Sequence, residues 1–242
     1  IADSRKNMYV INQDTMNLLR NLFITRITDM DSEKPAFSML ISKLKEENQP
    51  YLSGYDTSND AIVRIFNKLV EVYPEEPHFT AHLARYYFYI EKNYEKGFSN
   101  INSAIELSET MNGVVDPLLL HMKAMGYSSR ITNTYIKNVY KHDREGNNEE
   151  VIETIKKIED DANSASLLFK KVRESNIGIA GHVSEINLCI HIATMAKNLL
   201  SETEDFNTFI MTEGGVWVLN YIDQANNLWE ECKKIANESY YD

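Results

Sequence analysis

From Val151 to Val172 the apolar residues return in alternating steps of four and three: Val151, Ile155, Ile158, Ala162, Ala165, Phe169 and Val172. A strand alternates its side chains at a period of two, so this spacing would scatter them over both faces of a sheet. On an α-helix the same residues fall along one stripe. A helix with such a stripe must cover it, either with other helices of the same chain or with a partner. The seam lasts about three heptads, and helical patterns lie on both sides of it in sequence. A long helix inside a stack fits better than a free coiled coil. The spacing leaves open whether the seam is internal or faces a partner.

A second stretch has its own punctuation. Pro74 and Pro77 stop an earlier helix from running on, and Pro77 suits a first helical position, where a missing N–H costs nothing. Leu83, Ala84, Tyr87 and Phe88 then form one stripe, and the pattern pauses at Lys92-Asn93. A further stripe follows through Tyr94, Phe98, Ile101, Ala104 and Ile105. Pro74–Leu107 therefore reads as a helical hairpin, with Gly97 and Ala104 small where its helices would cross. Around it, helices are expected over about Asp14–Met30, from Pro35 through Leu44, and near Asp60–Tyr73, with a loop over Glu46–Asn59. Ser108–Val115 reads as a connection. Asp116-Pro117 supplies an N-cap and a first-position proline for a helix reaching His142, closed by the loop Asp143–Asn148. Gly178 and Gly181 mark the next boundary. Val183–Leu200 is apolar all round, as a central buried helix would be. Ser201–Asn207 reads as an acidic loop. A closing helix after Gly214-Gly215 carries Trp217, Tyr221, Gln224, Leu228, Cys232 and Ile235, and Glu238–Asp242 reads as a frayed tail.

No stretch reads as a strand, so the fold class is all-α. Tyr94, Gly97, Ile101 and Ala104 resemble the second helix of a tetratricopeptide repeat: an aromatic, a small residue, a bulky residue and an alanine. Met125-Gly126 resembles the Leu-Gly pair of such a repeat's first helix. Ala165, Phe169 and Val172 have the small–bulky–small spacing of a second helix. The first helix of the hairpin departs from the pattern. Its Leu83-to-Tyr94 spacing is one residue too long, and Arg85 stands where the motif has glycine. The expected architecture is a tetratricopeptide-like α-solenoid of stacked helical hairpins with degenerate repeats, because such units cannot bury a face alone. The phrase HFTAHLARYYFYIEKNYEKG further resembles the helical arm behind the nucleotide-binding domain of STAND-type signalling NTPases, and a similar arm occurs in sterile-alpha-motif-containing antiviral factors. That resemblance implies a non-catalytic sensor or regulatory arm in antiviral or antiphage defence. Such an arm would recognise a protein trigger, or pack against its own upstream nucleotide-binding domain, and govern ATP-dependent oligomerisation. The chain opens on Ile1 rather than Met. The expectation is therefore a piece of a longer protein, with residues 1–34 a helical lead-in from an upstream domain and 35–242 the repeat-like domain.

Composition narrows the classes. With 43% hydrophobic and 25% charged residues the chain is too apolar to be disordered. A formal charge of −11 argues against a generally phosphate-tracking surface. Cys189 and Cys232 both fall inside apolar helical patterns and read as buried reduced thiols, which favours a cytoplasmic protein. There is no basic-then-apolar leader, and the best apolar run, Leu188–Ala196, is far short of the roughly 20 residues of a membrane span.

Few residues form a pattern that carries chemistry. No G-x-x-x-x-G-K-[ST] or G-x-G-x-x-G string is present. His78 and His82 share a helical face, but Phe79 stands where zinc hydrolases of that layout carry glutamate, so packing and hydrogen bonding are favoured over a metal. The same holds for His121, His182, Glu185 and His191. Cys189 lies in apolar surroundings, which raise a thiol's pKa rather than activate it. The acid pairs Glu75-Glu76, Glu149-Glu150, Asp160-Asp161 and Glu230-Glu231 point about 100° apart on a helix and read as solvated surface. No catalytic, cofactor or metal residue is expected. The candidate partner-binding residues are a basic row, Lys123, Arg130, Lys137, Lys141 and Arg144, spaced 7, 7, 4 and 3, together with Arg85, Tyr86 and Tyr89. A solvated face answered by the chain's own acids is favoured over nucleic-acid binding for that row. The alternatives are a free-standing repeat scaffold, nucleic-acid binding through the row, and a metal-dependent helical enzyme using His78 and His82. Self-association into a homo-oligomer is compatible with the first reading.

Overall fold

The computed structural model describes residues 59–175, 179–200 and 205–238. The helices expected before residue 46, most of the loop over 46–59, the boundary at residue 34 and the last four residues lie outside them. Every regular element among the described residues is helical. They are α1 (Asn59–Val72), α2 (Pro77–Tyr86), α3 (Tyr94–Asn112), α4 (Pro117–Arg130), α5 (Ile136–Arg144), α6 (Asn148–Arg173), α7 (Ala180–Leu200), α8 (Phe206–Phe209) and α9 (Glu213–Glu238). Two π turns interrupt the series. Tyr87–Glu91 continues α2, and Ile131–Tyr135 joins α4 to α5. The chain divides into two compact units, Ile1–Met122 and Lys123–Asp242, with the division inside α4.

In the first unit, Pro77 and Asp116-Pro117 start helices where the sequence places them, and Glu76 and Asn93 add caps that the pattern did not single out. Pro77 opens α2, and the Glu76 carboxylate caps it by accepting from the His78 backbone N–H at 3.2 Å. Lys92 takes a left-handed conformation, φ 59°, to end the π turn. Asn93 then caps α3 by accepting from the Lys96 N–H at 3.1 Å. Asp116 caps α4 through the Leu118 N–H at 2.9 Å. The core between these helices holds Ala81, Ala84, Phe88, Ile101, Ala104, Leu119 and Met122. Phe88 comes from the π turn and lies directly over Gly97. A Cβ at residue 97 would stand 2.5 Å from the Phe88 ring atom Cδ1. The ring is also hemmed in by Phe98, 5.0 Å away at 65°, and by Tyr94, 6.3 Å away at 28°. A glycine is what that crossing allows.

The connection expected over Ser108–Val115 is shorter than that. Helix α3 runs on to Asn112, and Gly113 ends it with φ 71°. The polar residues after Leu107 read as a loop, yet they are the solvent face of a helix that continues. Thr110 returns its hydroxyl to the Glu106 carbonyl at 2.7 Å, and buried Ser108 accepts from the Asp116 N–H at 3.1 Å.

In the second unit α7 packs against α5, α6 and α9, the central position that its apolar surface implies. Asn187, Ile190, His191, Thr194, Lys197 and Asn198 form its exposed side. The seam on α6 is internal to this unit from Ile158 onward: Ile158, Ala165, Phe169 and Val172 are fully buried and Ala162 nearly so, while Val151 and Ile155 are half-buried. Two boundaries move from their expected places. Asn207 belongs to the short helix α8, whose start is capped by Asp205 accepting from the Thr208 N–H at 3.0 Å. The closing helix begins at Glu213, so Gly214 and Gly215 lie within its first turn. Gly215 is there because the Phe209 carbonyl and Ile210 Cα occupy the space a side chain would need.

Gly97→Ala should lower stability by about 1–2 kcal/mol, because overpacking against Phe88 outweighs alanine's advantage in a helix. Glu95→Ala, exposed on the same helix, should shift it by less than about 0.5 kcal/mol. Paired thermal or urea melts decide between them. Equal stability of the two variants would mean that the Phe88–Gly97 crossing is loose.

Candidate functional site

Of the three aromatic and basic candidates in the first unit, Arg85 and Tyr86 are 2% and 5% exposed. They are walls of the first unit rather than open surface, and Tyr86 meets Tyr87 edge-on at 5.6 Å. Tyr89 is half-buried against the core cluster.

The basic row does not survive as a row. Its spacing assumes an unbroken α-helix, but the π turn at Ile131–Tyr135 inserts one residue between Arg130 and Lys137. That rotates everything after it by about 100° relative to Arg130. Lys123 is half-buried, and burial, then the charge of Lys171, lowers its pKa. Arg130 is committed to Asp161 on α6, donating from Nε at 2.7 Å and from Nη2 at 2.6 Å. Its guanidinium also lies over the rings of Tyr127 and Tyr135, at 5.5 and 5.6 Å. Burial opposes its charge, and the Asp161 carboxylate more than offsets that, raising its pKa. Lys137, Lys141 and Arg144 are exposed. Lys141 lies 3.9 Å from Glu145, and the Arg144 Nε donates to the Tyr140 carbonyl at 3.1 Å.

Asp161 corrects the reading of the acid pairs as solvated surface, since it is 6% exposed and fully engaged. Glu76 corrects it too. Its Oε1 lies 2.5 Å from Nδ1 of His78, while Nε2 of the same ring lies 3.1 Å from Oδ2 of Asp116. Carboxylates at both ring nitrogens favour the doubly protonated imidazolium, which donates to each. Burial opposes that charge, but Asp116 and Glu76 prevail and raise the His78 pKa to about 9. This charge ties the start of α2 to the start of α4 and is structural. His82 stacks on Phe66 at 5.0 Å instead of joining His78. In the second unit buried His182 sits 3.3 Å from Glu231, its pKa lowered by burial and then by Arg173. Among the described residues no group of three or more His, Cys, Asp or Glu side chains is arranged to hold a metal ion.

The site that sequence reasoning missed lies inside the second unit. A cavity of about 410 Å³ opens between α6, α7 and α9. At its base is Glu185 of α7, 1% exposed. Its Oε1 accepts from the Ser166 hydroxyl of α6 and from Nε2 of Gln224 of α9 at 2.7 Å, and its Oε2 accepts from the Arg173 guanidinium. One carboxylate thus binds three helices. Trp217 and Tyr221 of α9 form an aromatic wall, ring centres 5.2 Å apart and nearly perpendicular at 86°. Glu159, Asn163 and Asn220 supply polar groups to the lining. Burial, and then the charge of Glu159, pushes the Tyr221 phenol up to about 12, so it stays a hydrogen-bond donor. Cys189 also lines the cavity. Burial drives its thiol to about 12, which leaves no useful thiolate at neutral pH. The sequence did hold a signal: Glu185 is an acid within an apolar helix, and Gln224 is a polar residue on an apolar stripe.

No helix among the described residues is long and apolar enough to cross a membrane. Compared with known proteins, the chain matches no family model, no curated protein and no solved structure.

Two outcomes test these assignments. Arg130→Ala or Asp161→Ala alone should cost about 2–4 kcal/mol, since each strands a largely buried charge. The double change Arg130→Met with Asp161→Leu should recover most of that loss. A double-mutant cycle in urea measures it, and additive losses would mean the pair is not coupled. For His78 the folded pKa, about 9, lies above the ordinary 6.5. Its contribution is therefore complete below pH 6.5 and is lost as pH rises toward 9, worth about 2–3 kcal/mol. Denaturation of the native chain and of His78→Gln across pH 6–10 should show the gap between them closing over that window.

Proposed function

We propose that this chain is a non-catalytic helical recognition arm built from degenerate tetratricopeptide-like hairpins, and that it serves a STAND-type NTPase of antiviral or antiphage defence in the cytoplasm. The observation that carries the repeat-like reading is the π turn at Tyr87–Glu91. A π turn is a one-residue insertion in an α-helix. It accounts for the one residue by which the Leu83-to-Tyr94 spacing exceeds the repeat pattern. With that residue set aside, Ala84 rather than Arg85 takes the place of the motif glycine. Ala84 is fully buried in the same core as Ile101 and Ala104. The second unit supports the reading in the same way. Gly126 is buried on α4, a second π turn follows it, and Ala165, Phe169 and Val172 are buried on α6, which packs against that turn and α5.

A recognition role fits the chemistry as well as the hairpins. His78 is held between two carboxylates, and the Cys189 thiol is pushed far from activation. The alternative is a free-standing scaffold, which shares the same helices and lacks an NTPase. The full-length native protein separates the two. The arm reading expects a phosphate-binding loop upstream of Ile1, a protein that stays unassembled with ATP alone, and ATP-driven assembly once residues 59–242 are deleted. Mass photometry of both forms with and without ATP measures this. A native protein with no phosphate-binding loop, or with no response to ATP in either form, would leave the scaffold reading in its place.

A further inference from the structure

We infer that the cavity between α6, α7 and α9 is a receptor for an arginine side chain presented by a protein partner. The inference rests on the recognition reading above and names the chemistry that one surface of the arm selects. It starts from charge. Two carboxylates, Glu159 and Glu185, line the cavity, and among the described residues no lysine, arginine or histidine does. Glu185 is neutralised from behind by Arg173 and held by Ser166 and Gln224, so it forms a fixed, preorganised base. Glu159 is half-buried at the lining and is the carboxylate left for an incoming cation.

The walls distinguish a guanidinium from other cations. Trp217 and Tyr221 both line the cavity, and the negative face of either ring can take a flat cation in a cation–π stack. Asn163 and Asn220 are exposed residues at the lining, and each brings a carbonyl oxygen that can accept an N–H. Guanidinium is planar and carries five N–H donors in one plane, which suits a carboxylate and two amide oxygens around an aromatic wall. An ammonium offers three donors about a point and no face to stack. Size agrees: 410 Å³ is near the small end of ligand cavities and takes one long side chain with its adjoining backbone.

Trp217 provides the readout. The chain has two tryptophans, and the other, Trp229, is 54% exposed and outside the lining. Trp229→Phe therefore leaves one reporter, in the cavity wall. This variant of the full chain is titrated with acetyl-Gly-Arg-Gly-amide, with its citrulline counterpart, and with its lysine counterpart. The expected result is a saturable change in Trp217 emission with the arginine peptide and none with citrulline, which keeps the shape and lacks the charge. Lysine should bind at least several-fold more weakly. Adding Glu159→Gln should weaken arginine binding about fivefold without moving the melting temperature, because Glu159 is half-buried at the lining and holds no ion pair among the described residues. Citrulline binding as well as arginine, or an unsaturable response in a folded protein, would overturn the proposal. Lysine binding as well as arginine would overturn the guanidinium assignment. None of these outcomes involves ATP or assembly, so failure here leaves the arm reading standing, and failure of the assembly experiment leaves this cavity intact.

Discussion

A carboxylate that is 1% exposed has to be answered by the protein, because taking its charge out of water costs several kcal/mol. Glu185 is answered three times, by a hydroxyl, an amide and a guanidinium, and those groups come from helices on either side of it. Hydrophobic contacts alone would let α6, α7 and α9 slide past one another at small cost, since one apolar side chain substitutes well for another. A directional hydrogen bond from Ser166 and one from Gln224 to the same oxygen do not permit that sliding. The second unit is therefore held in register by its least hydrophobic point. The same groups explain why space remains beside it. Serine and glutamine reach toward Glu185 and do not fill volume as leucine would, so the polar node and the cavity have a common origin.

The first unit solves a similar problem with a cation. His78 lies near the start of α2, where the helix dipole disfavours positive charge. Glu76 caps α2 and Asp116 caps α4, and both meet the imidazole. Their capping bonds to N–H groups and their contacts with the ring place the two helix starts around one charge. Such an arrangement needs no ligand to be satisfied. The cavity of the second unit, with an aromatic wall and no cation among the described residues of its lining, is the contrasting case.

What the sequence made legible was whatever depends on local pattern. The seam from Val151 to Val172, the cap at Asp116, the proline starts and the small residue at Gly97 all depend on neighbours three or four positions away. The π turns were hidden for a physical reason: an inserted residue leaves composition unchanged and shows only as a spacing that fails by one. That failure was visible between Leu83 and Tyr94, and a second insertion disassembled the apparent basic row after Arg130. Long-range polar pairs were hidden differently. Helix periodicity sets Asp161 nearer the seam than Asp160, but its partner is 31 residues away and no local pattern names it. Glu185 and Gln224 are separated by 39 residues. Their mismatch with their own apolar stripes was the only trace they left.

The two cysteines have a practical side. Cys189 and Cys232 are buried, and burial raises both thiols, the first to about 12. At neutral pH a thiol-directed dye therefore finds almost no native thiolate to attack. The unaltered chain is thus a quiet background for site-directed labelling. Val114, 69% exposed in the first unit, and Met211, 82% exposed in the second, are places where an introduced cysteine would disturb little. A donor and acceptor dye at those two positions would make the separation of the units a distance that can be followed in solution, molecule by molecule.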